Sequence, residues 1–149
     1  MKIQKKSIAA VVLLVFVFVV VGVRHINRIR GFSDLIPFSA ESILRCEIST
    51  EATDAMENTT IDLSAEQLSD ILNCLELGRY KYAGKSSSMQ NCYARIFLWT
   101  SNTDHTEIML SETNLLMNSY NGKNCPVYEI VESGDAIAKY ITAYLKSDD

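Results

Sequence analysis

The sequence contains few of the residues from which nucleotide sites, redox motifs and catalytic centres are built. Glycine occurs six times and proline twice in 149 residues. No glycine-rich turn joins a strand pattern to a helix pattern, which argues against a phosphate-binding loop. The four cysteines include no Cys-x-x-Cys pair, which argues against a zinc site or a thioredoxin-like centre. We therefore predict no enzyme activity, no cofactor and no metal site.

Acidic residues are absent from the first 30 positions, whereas six basic residues occur there. The rest of the chain holds the other eight basic residues and all 18 acidic ones, a net charge of −10. Such an acidic surface repels the phosphates of nucleic acids. We therefore expect the partner of this part of the chain to be something other than nucleic acid.

The basic segment, residues 1–30, encloses an uncharged apolar run at residues 8–23. A helix of that length covers about 24 Å, and flanking lysine and arginine side chains can extend their charged ends to the headgroups of a bilayer core about 30 Å thick. The run is apolar on all sides, unlike a helix of a folded core. The sequence thus predicts a single-pass transmembrane anchor. The alternative is a cleaved signal peptide, for which only Val20 and Gly22 offer small residues near a cleavage site.

The orientation of this anchor depends on a balance of charges. Lys2, Lys5 and Lys6 precede the run, and Arg24, Arg28 and Arg30 follow it, so the rule that basic flanks stay inside gives no preference. The membrane potential favours an acidic domain on the outer side. We predict a cell-membrane protein whose domain is extracytoplasmic, with an inward-facing accessory subunit of a membrane complex as the alternative.

Residues 31–42 read as a tether, and residues 43–149 as one acidic domain. Residues 43–49, "ILRCEIS", alternate like a half-buried strand, and "TTIDL" predicts another strand. Ser64 and Gln67 form a capping box that begins a helix, which we expect to end at Gly78 in a left-handed conformation. The pattern "SGDAIAKYITAYLK" predicts a final helix capped by Ser133.

Two hairpins are predicted between these helices. The first joins "CYARIFLWT" to "HTEIML", and the second turns at Asn121-Gly122, a pair suited to the positive φ of a tight turn. Pro126 marks the last strand as an edge strand. The expected fold is α+β, a transmembrane helix followed by a small antiparallel sheet with two helices packed on one face.

A basic start, one apolar segment, a capped helix and hairpins ending in "YNGKNCPVYEI" before a final helix together form a recognisable pattern. It resembles small membrane-anchored extracytoplasmic domains of unknown function from Gram-positive bacteria. The resemblance covers most of residues 43–146. It implies no activity and carries over no site residue.

The cysteines offer the main alternative to a purely binding role. Cys46, Cys74, Cys92 and Cys125 permit two disulfides in three connectivities, or four thiols in the core. A thiol-dependent enzyme or redox protein would need a base, and His105 is the one histidine of the domain. No spacing in the sequence requires a cysteine to contact His105.

One predicted strand has apolar side chains on both of its faces. In "CYARIFLWT", an aliphatic face alternates with Tyr93, Arg95, Phe97 and Trp99. Aromatic residues and arginine are enriched at protein interfaces. We predict these four residues as an interaction face for a protein, a peptide or a cell-envelope component. The alternative is a central strand that is buried on both sides.

Overall fold

The computed structural model describes residues 2–49, 60–119 and 125–147, apart from the side chains of residues 2–9, 25, 26, 119 and 147. The helices are α1 (Lys2–Ile26), α2 (Ala65–Glu76) and α3 (Gly134–Ser147), with one turn of 3-10 helix at Ala40–Ser42. The strands are β1 (Ile29–Arg30), β2 (Arg45–Ser49), β3 (Thr60–Asp62), β4 (Arg79–Ser86), β5 (Ala94–Trp99), β6 (His105–Leu110), β7 (Asn114–Ser119) and β8 (Cys125–Glu132).

The strands form one sheet in the order β1-β4-β8-β7-β6-β5-β2-β3. Every neighbouring pair is antiparallel. This confirms the predicted α+β class with an antiparallel sheet. The strands β5 to β8 follow one another as a meander, whereas β1 and β2 are placed far from each other in the sheet.

Helices α2 and α3 pack on one face of the sheet, which we call the helix side. Ile71 and Leu75 of α2 and Ile137 and Ile141 of α3 are each 0 % exposed and belong to the main hydrophobic core. The sheet contributes the side chains of alternate residues to the same core, namely Cys46, Ile48, Tyr80, Ala94, Ile96, Leu98, Ile108, Leu110, Leu115, Met117 and Tyr128.

The predicted anchor residues lie in α1, and the apolar side chains from Val11 to Val23 are mostly exposed, with values between 51 and 68 % for the large ones. Among the described residues, however, no helix has both the length and the apolar character that a membrane crossing requires. The structure therefore does not support the transmembrane part of the predicted fold.

Residues 31–42, expected to be a tether, instead lie against the domain. Phe32 is 1 % exposed, and Leu35, Ile36 and Phe38 pack against the main core. The apolar side chains that the sequence places among turn-forming residues explain this difference, because burying them removes apolar surface from water.

Helix α2 begins as predicted but ends differently. The capping box is present, with Ser64 Oγ accepting from the Gln67 backbone N–H and the Gln67 side chain accepting from the Ser64 backbone N–H. Gly78 is not among the residues of positive φ. A side chain at Gly78 would collide with the Tyr80 hydroxyl, which donates to the Leu75 carbonyl oxygen at 2.7 Å. A close approach, and not a left-handed turn, therefore requires glycine here.

The second hairpin pairs β7 with β8, while its predicted Asn121-Gly122 turn lies outside the described residues. The prediction of an edge strand from Pro126 is wrong, because β8 lies between β4 and β7. Pro126 is the second residue of β8. A proline is tolerated near the start of a strand, where few ladder hydrogen bonds are lost.

Candidate interaction surface on the helix-free side of the sheet

Strand β5 divides its side chains between the two faces of the sheet. Ala94, Ile96 and Leu98 are 0 % exposed on the helix side. Arg95, Phe97 and Trp99 alternate with them and are half-buried on the opposite face. The buried cluster of described residues on that face contains no residue of a helix, and we call this face the helix-free side. Three of the four predicted interaction residues therefore share one face.

Tyr93, the fourth predicted residue, does not lie with them. It packs against the core on the helix side and borders a cavity of about 400 Å³ with Asn91, Glu112, Ala138 and Thr142. Burial raises the pKa of the Tyr93 hydroxyl above its usual range. The strand begins only at Ala94, and Asn91 has a positive φ of 55°. The alternation therefore does not extend back to Tyr93.

A crossing segment, residues 87–93, covers part of the helix-free side. It joins β4 to β5, between which β8, β7 and β6 lie, a lateral distance of about 19 Å at the usual strand spacing. Its Met89 and Cys92 pack against Met109 and Leu116, which belong to a second small core. This cover explains why Leu116 is only 1 % exposed although it lies on the helix-free side.

Beyond the crossing segment, four side chains form a stack that we call the aromatic ladder: Arg45, Phe97, Trp99 and His105. Arg45 and His105 lie on either side of Trp99 in neighbouring strands. The Arg45 guanidinium carbon is 4.6 Å from the centroid of the Trp99 ring, and the Trp99 and His105 ring centroids are 4.4 Å apart. The Phe97 and His105 centroids are 5.7 Å apart. Cation–π and aromatic contacts at these distances hold the ladder together.

Two carboxylates on the same face bind the neighbouring arginines. Glu47 accepts from Arg45 at 2.6 Å, and Glu107 Oε1 lies 3.4 Å from Arg95 Nη1. Glu107 Oε2 accepts from Asn118 Nδ2 at 3.0 Å. Glu107 is only 8 % exposed, so these two hydrogen bonds offset the cost of burying its charge.

A cavity of about 280 Å³ opens beside the ladder. Arg45 and Trp99 line it together with Leu44, Ser101 and Asn102. Leu44 is 71 % exposed, and the Arg45 side chain is 53 % exposed. Trp99 Nε1 is buried without a hydrogen-bond partner in the described part of the chain. Apolar surface and hydrogen-bond donors are therefore adjacent at this end of the sheet.

The structure does not bring Cys92 and His105 together, as a thiol-dependent enzyme that used this pair would require. Cys92 precedes the first residue of β5, whereas His105 is opposite its last residue, Trp99, a separation of roughly 20 Å along the strand. Cys92 Sγ donates to the Ala94 carbonyl oxygen at 3.0 Å.

All four cysteines are buried thiols. Burial is the main cause that raises the pKa of Cys46 to about 12, and the charge of Glu47 adds to it. Burial also raises the pKa of Cys74. A raised pKa suppresses the thiolate, which is the reactive form. Within the described ranges, no group of three or more His, Cys, Asp and Glu residues could hold a metal ion.

Arg45, Glu47, His105 and Glu107 were not predicted as members of the surface. Their own strands give a partial signal, since "RCEIS" and "HTEIML" each place a charged or aromatic residue at alternate positions. Only the strand register shows that these positions adjoin Phe97 and Trp99.

No known protein family, no curated protein and no solved structure matches this chain.

Proposed function

We propose that this chain is a non-enzymatic binding protein that displays a small acidic domain at a cell membrane and binds a polypeptide partner through the aromatic ladder. The observation that carries the proposal is the stack of Arg45, Trp99 and His105 beyond the crossing segment, on the helix-free side of the sheet. Tryptophan and arginine are the residues that most often dominate the binding energy of protein interfaces.

The polypeptide partner follows from the chemistry of this surface. Phe97 and Trp99 offer apolar area, the exposed Leu44 extends it, and Arg45 offers donors beside them. This combination of an apolar centre with a polar rim is typical of protein interfaces. Arg45 and Arg95 already have carboxylate partners, so the surface does not select for a highly charged ligand.

The membrane location rests on the sequence and on the exposed side chains of α1, because the described part of that helix is not by itself long and apolar enough to cross a membrane. The uncharged run at residues 8–23 lies within this helix, and its described apolar side chains, apart from Val20, are exposed. Exposed apolar area of this extent is favourable only when something other than water covers it. In the proposal a bilayer covers it, and α1 is a single-pass anchor.

The domain is placed on the outer side in this proposal because it is acidic. Protease added to intact cells or protoplasts tests the topology. Loss of the domain from intact cells supports an extracytoplasmic location. Protection until the membrane is permeabilised would instead assign the domain to the inner side, as an accessory subunit of a membrane complex.

Capture of the partner from native membranes tests the binding surface. The full-length protein is cross-linked and purified in three forms: wild type, Trp99→Ala, and Tyr140→Ala as a matched control. Tyr140 is 41 % exposed and lies on α3, on the other side of the sheet. We expect Trp99→Ala to lose the partner and Tyr140→Ala to retain it. Equal capture by all three forms would overturn the assignment of the surface.

Iodoacetamide labelling separates this proposal from a thiol-dependent enzyme. We expect all four cysteines of the folded protein to react slowly at neutral pH, because each is buried. Labelling of the urea-unfolded protein under the same conditions provides the reference rate. One cysteine that reacts faster in the folded than in the unfolded protein would favour the enzyme.

A further inference from the structure

The end of α1 is joined to the sheet by a very short connection. Only Asn27 and Arg28 separate α1 from β1. The Asn27 N–H donates to the Val23 carbonyl oxygen at 3.0 Å, so the helical hydrogen-bond pattern continues to Asn27. Ile29 then pairs with Lys81 of β4. The helix therefore passes directly into the first strand of the sheet.

Contacts after β1 fix this connection to the domain. Phe32 is buried in the main core. The Ser33 N–H donates to Glu76 Oε2 at 2.7 Å, and the Ser33 hydroxyl donates to Glu76 Oε1 at 3.2 Å. The edge of the sheet at β1 therefore stays close to the end of α1.

This edge carries a cluster of basic residues, which we call the basic collar: Arg24, Arg28, Arg30 and Lys81. Arg24 lies in the last turn of α1, and Arg28 follows the helix immediately before β1. Strand pairing places Lys81 opposite Ile29 and Arg30 opposite Tyr80.

Several collar side chains are available to a ligand. The Arg28 guanidinium is 3.9 Å from Asp34, and both side chains are more than half exposed, so water screens this pair. Arg24 and Lys81 form no ion pair with the residues that the structure describes. The acidic groups at the collar are Asp34, Glu129, which is opposite Lys81 in the neighbouring strand, and Glu76, which accepts from Ser33. They are three carboxylates against the four basic residues. The collar is therefore net positive, whereas the chain after residue 30 has a charge of −10.

We propose that the basic collar binds the headgroups of anionic phospholipids in the membrane that α1 enters. The inference rests on the proposed anchor, because α1 brings the collar to the height of the headgroups. Charge complementarity selects the lipid, since anionic headgroups attract basic residues next to a membrane helix. Ile29, 53 % exposed between two arginines, adds an apolar side chain at the same level.

Electron paramagnetic resonance of spin-labelled lipids tests the collar. The full-length protein is reconstituted into phosphatidylcholine vesicles that contain a trace of spin-labelled phosphatidylglycerol or phosphatidylcholine. The motionally restricted fraction of each label gives their relative association with the protein. We expect phosphatidylglycerol to be preferred about five-fold for each collar residue engaged, which corresponds to about 1 kcal/mol. Added salt should weaken the preference.

The variants decide whether the collar causes the preference. Arg24→Gln with Arg28→Gln should reduce it at least five-fold, and the control Lys139→Gln, on α3, should leave it unchanged. A preference that persists in the double variant would overturn the collar, because another site would then bind the lipid.

Flotation of the same samples tests the membrane anchor separately from the collar. Wild-type protein that enters neutral vesicles without preferring phosphatidylglycerol would refute the collar and leave the anchor intact. Wild-type protein that fails to float with vesicles of either composition would refute both.

Discussion

The two sides of the sheet differ in how their side chains are covered. On the helix side, α2, α3 and the segment after β1 bury a continuous aliphatic core. On the helix-free side, residues 87–93 cover one part, and the aromatic ladder occupies another. The helix side thus provides most of the folding energy, and the helix-free side has surface left for a partner.

Substitution in the helix-side core should have the largest effect on stability. Leu98 is 0 % exposed, and Leu98→Ala should lower the free energy of unfolding by about 3 kcal/mol. The neighbouring Trp99→Ala, on the other face, should cost less because Trp99 is only half-buried. Urea unfolding followed by circular dichroism compares the two. A larger loss of stability for Trp99→Ala would contradict the claim that the helix side provides most of the folding energy.

Removal of a charge partner on the helix-free side should have an intermediate effect. Glu107 is 8 % exposed and is paired with Arg95. Arg95→Ala removes this cation from the buried carboxylate and should lower the free energy of unfolding by about 2 kcal/mol. The double variant Arg95→Ala, Glu107→Gln should recover part of the loss, since no charge then stays buried. A double variant that is less stable than Arg95→Ala would show that the ion pair with Arg95 does not offset the cost of burying the Glu107 carboxylate.

Alkaline pH should gradually lower the free energy of unfolding, through the buried Cys46 thiol on the helix side. The pKa of Cys46 rises from 9.0 to about 12 on folding, so its contribution is complete below pH 9 and is lost as pH rises towards 12. One such group changes the free energy of unfolding by at most about 1.4 kcal/mol per pH unit. Cys46→Ala should reduce the slope of stability against pH between pH 9 and 11. An unchanged slope would show that Cys46 ionises equally in the folded and unfolded chain.

The local elements of this fold could be predicted from the sequence. Helix α2 carries its own start signal at Ser64 and Gln67, and strand β5 of the β5-β6 hairpin shows a clear alternation. Strand β4, "RYKYAGKS", was not predicted, because its second half, "AGKS", is small and polar. Pairing with β8, more than 35 positions later, stabilises that half. Such distant pairing leaves no local pattern.

The candidate surface was predictable to a similar extent. Alternation along one strand identified Arg95, Phe97 and Trp99 as sharing a face. It misplaced Tyr93, because the sequence does not show that the strand begins one residue later. Arg45 and His105 join the surface through pairing between strands, which alternation within one strand does not specify.

Photocrosslinking from the ladder tests the central claim most directly. A photoreactive phenylalanine derivative replaces Phe97 on the helix-free side or, as the control, Tyr140 on α3, in the full-length protein in its native membrane. We predict a discrete cross-linked polypeptide from position 97 and none from position 140. The same cross-link from position 140 but not from position 97 would contradict the account, because the partner would then bind the helix side.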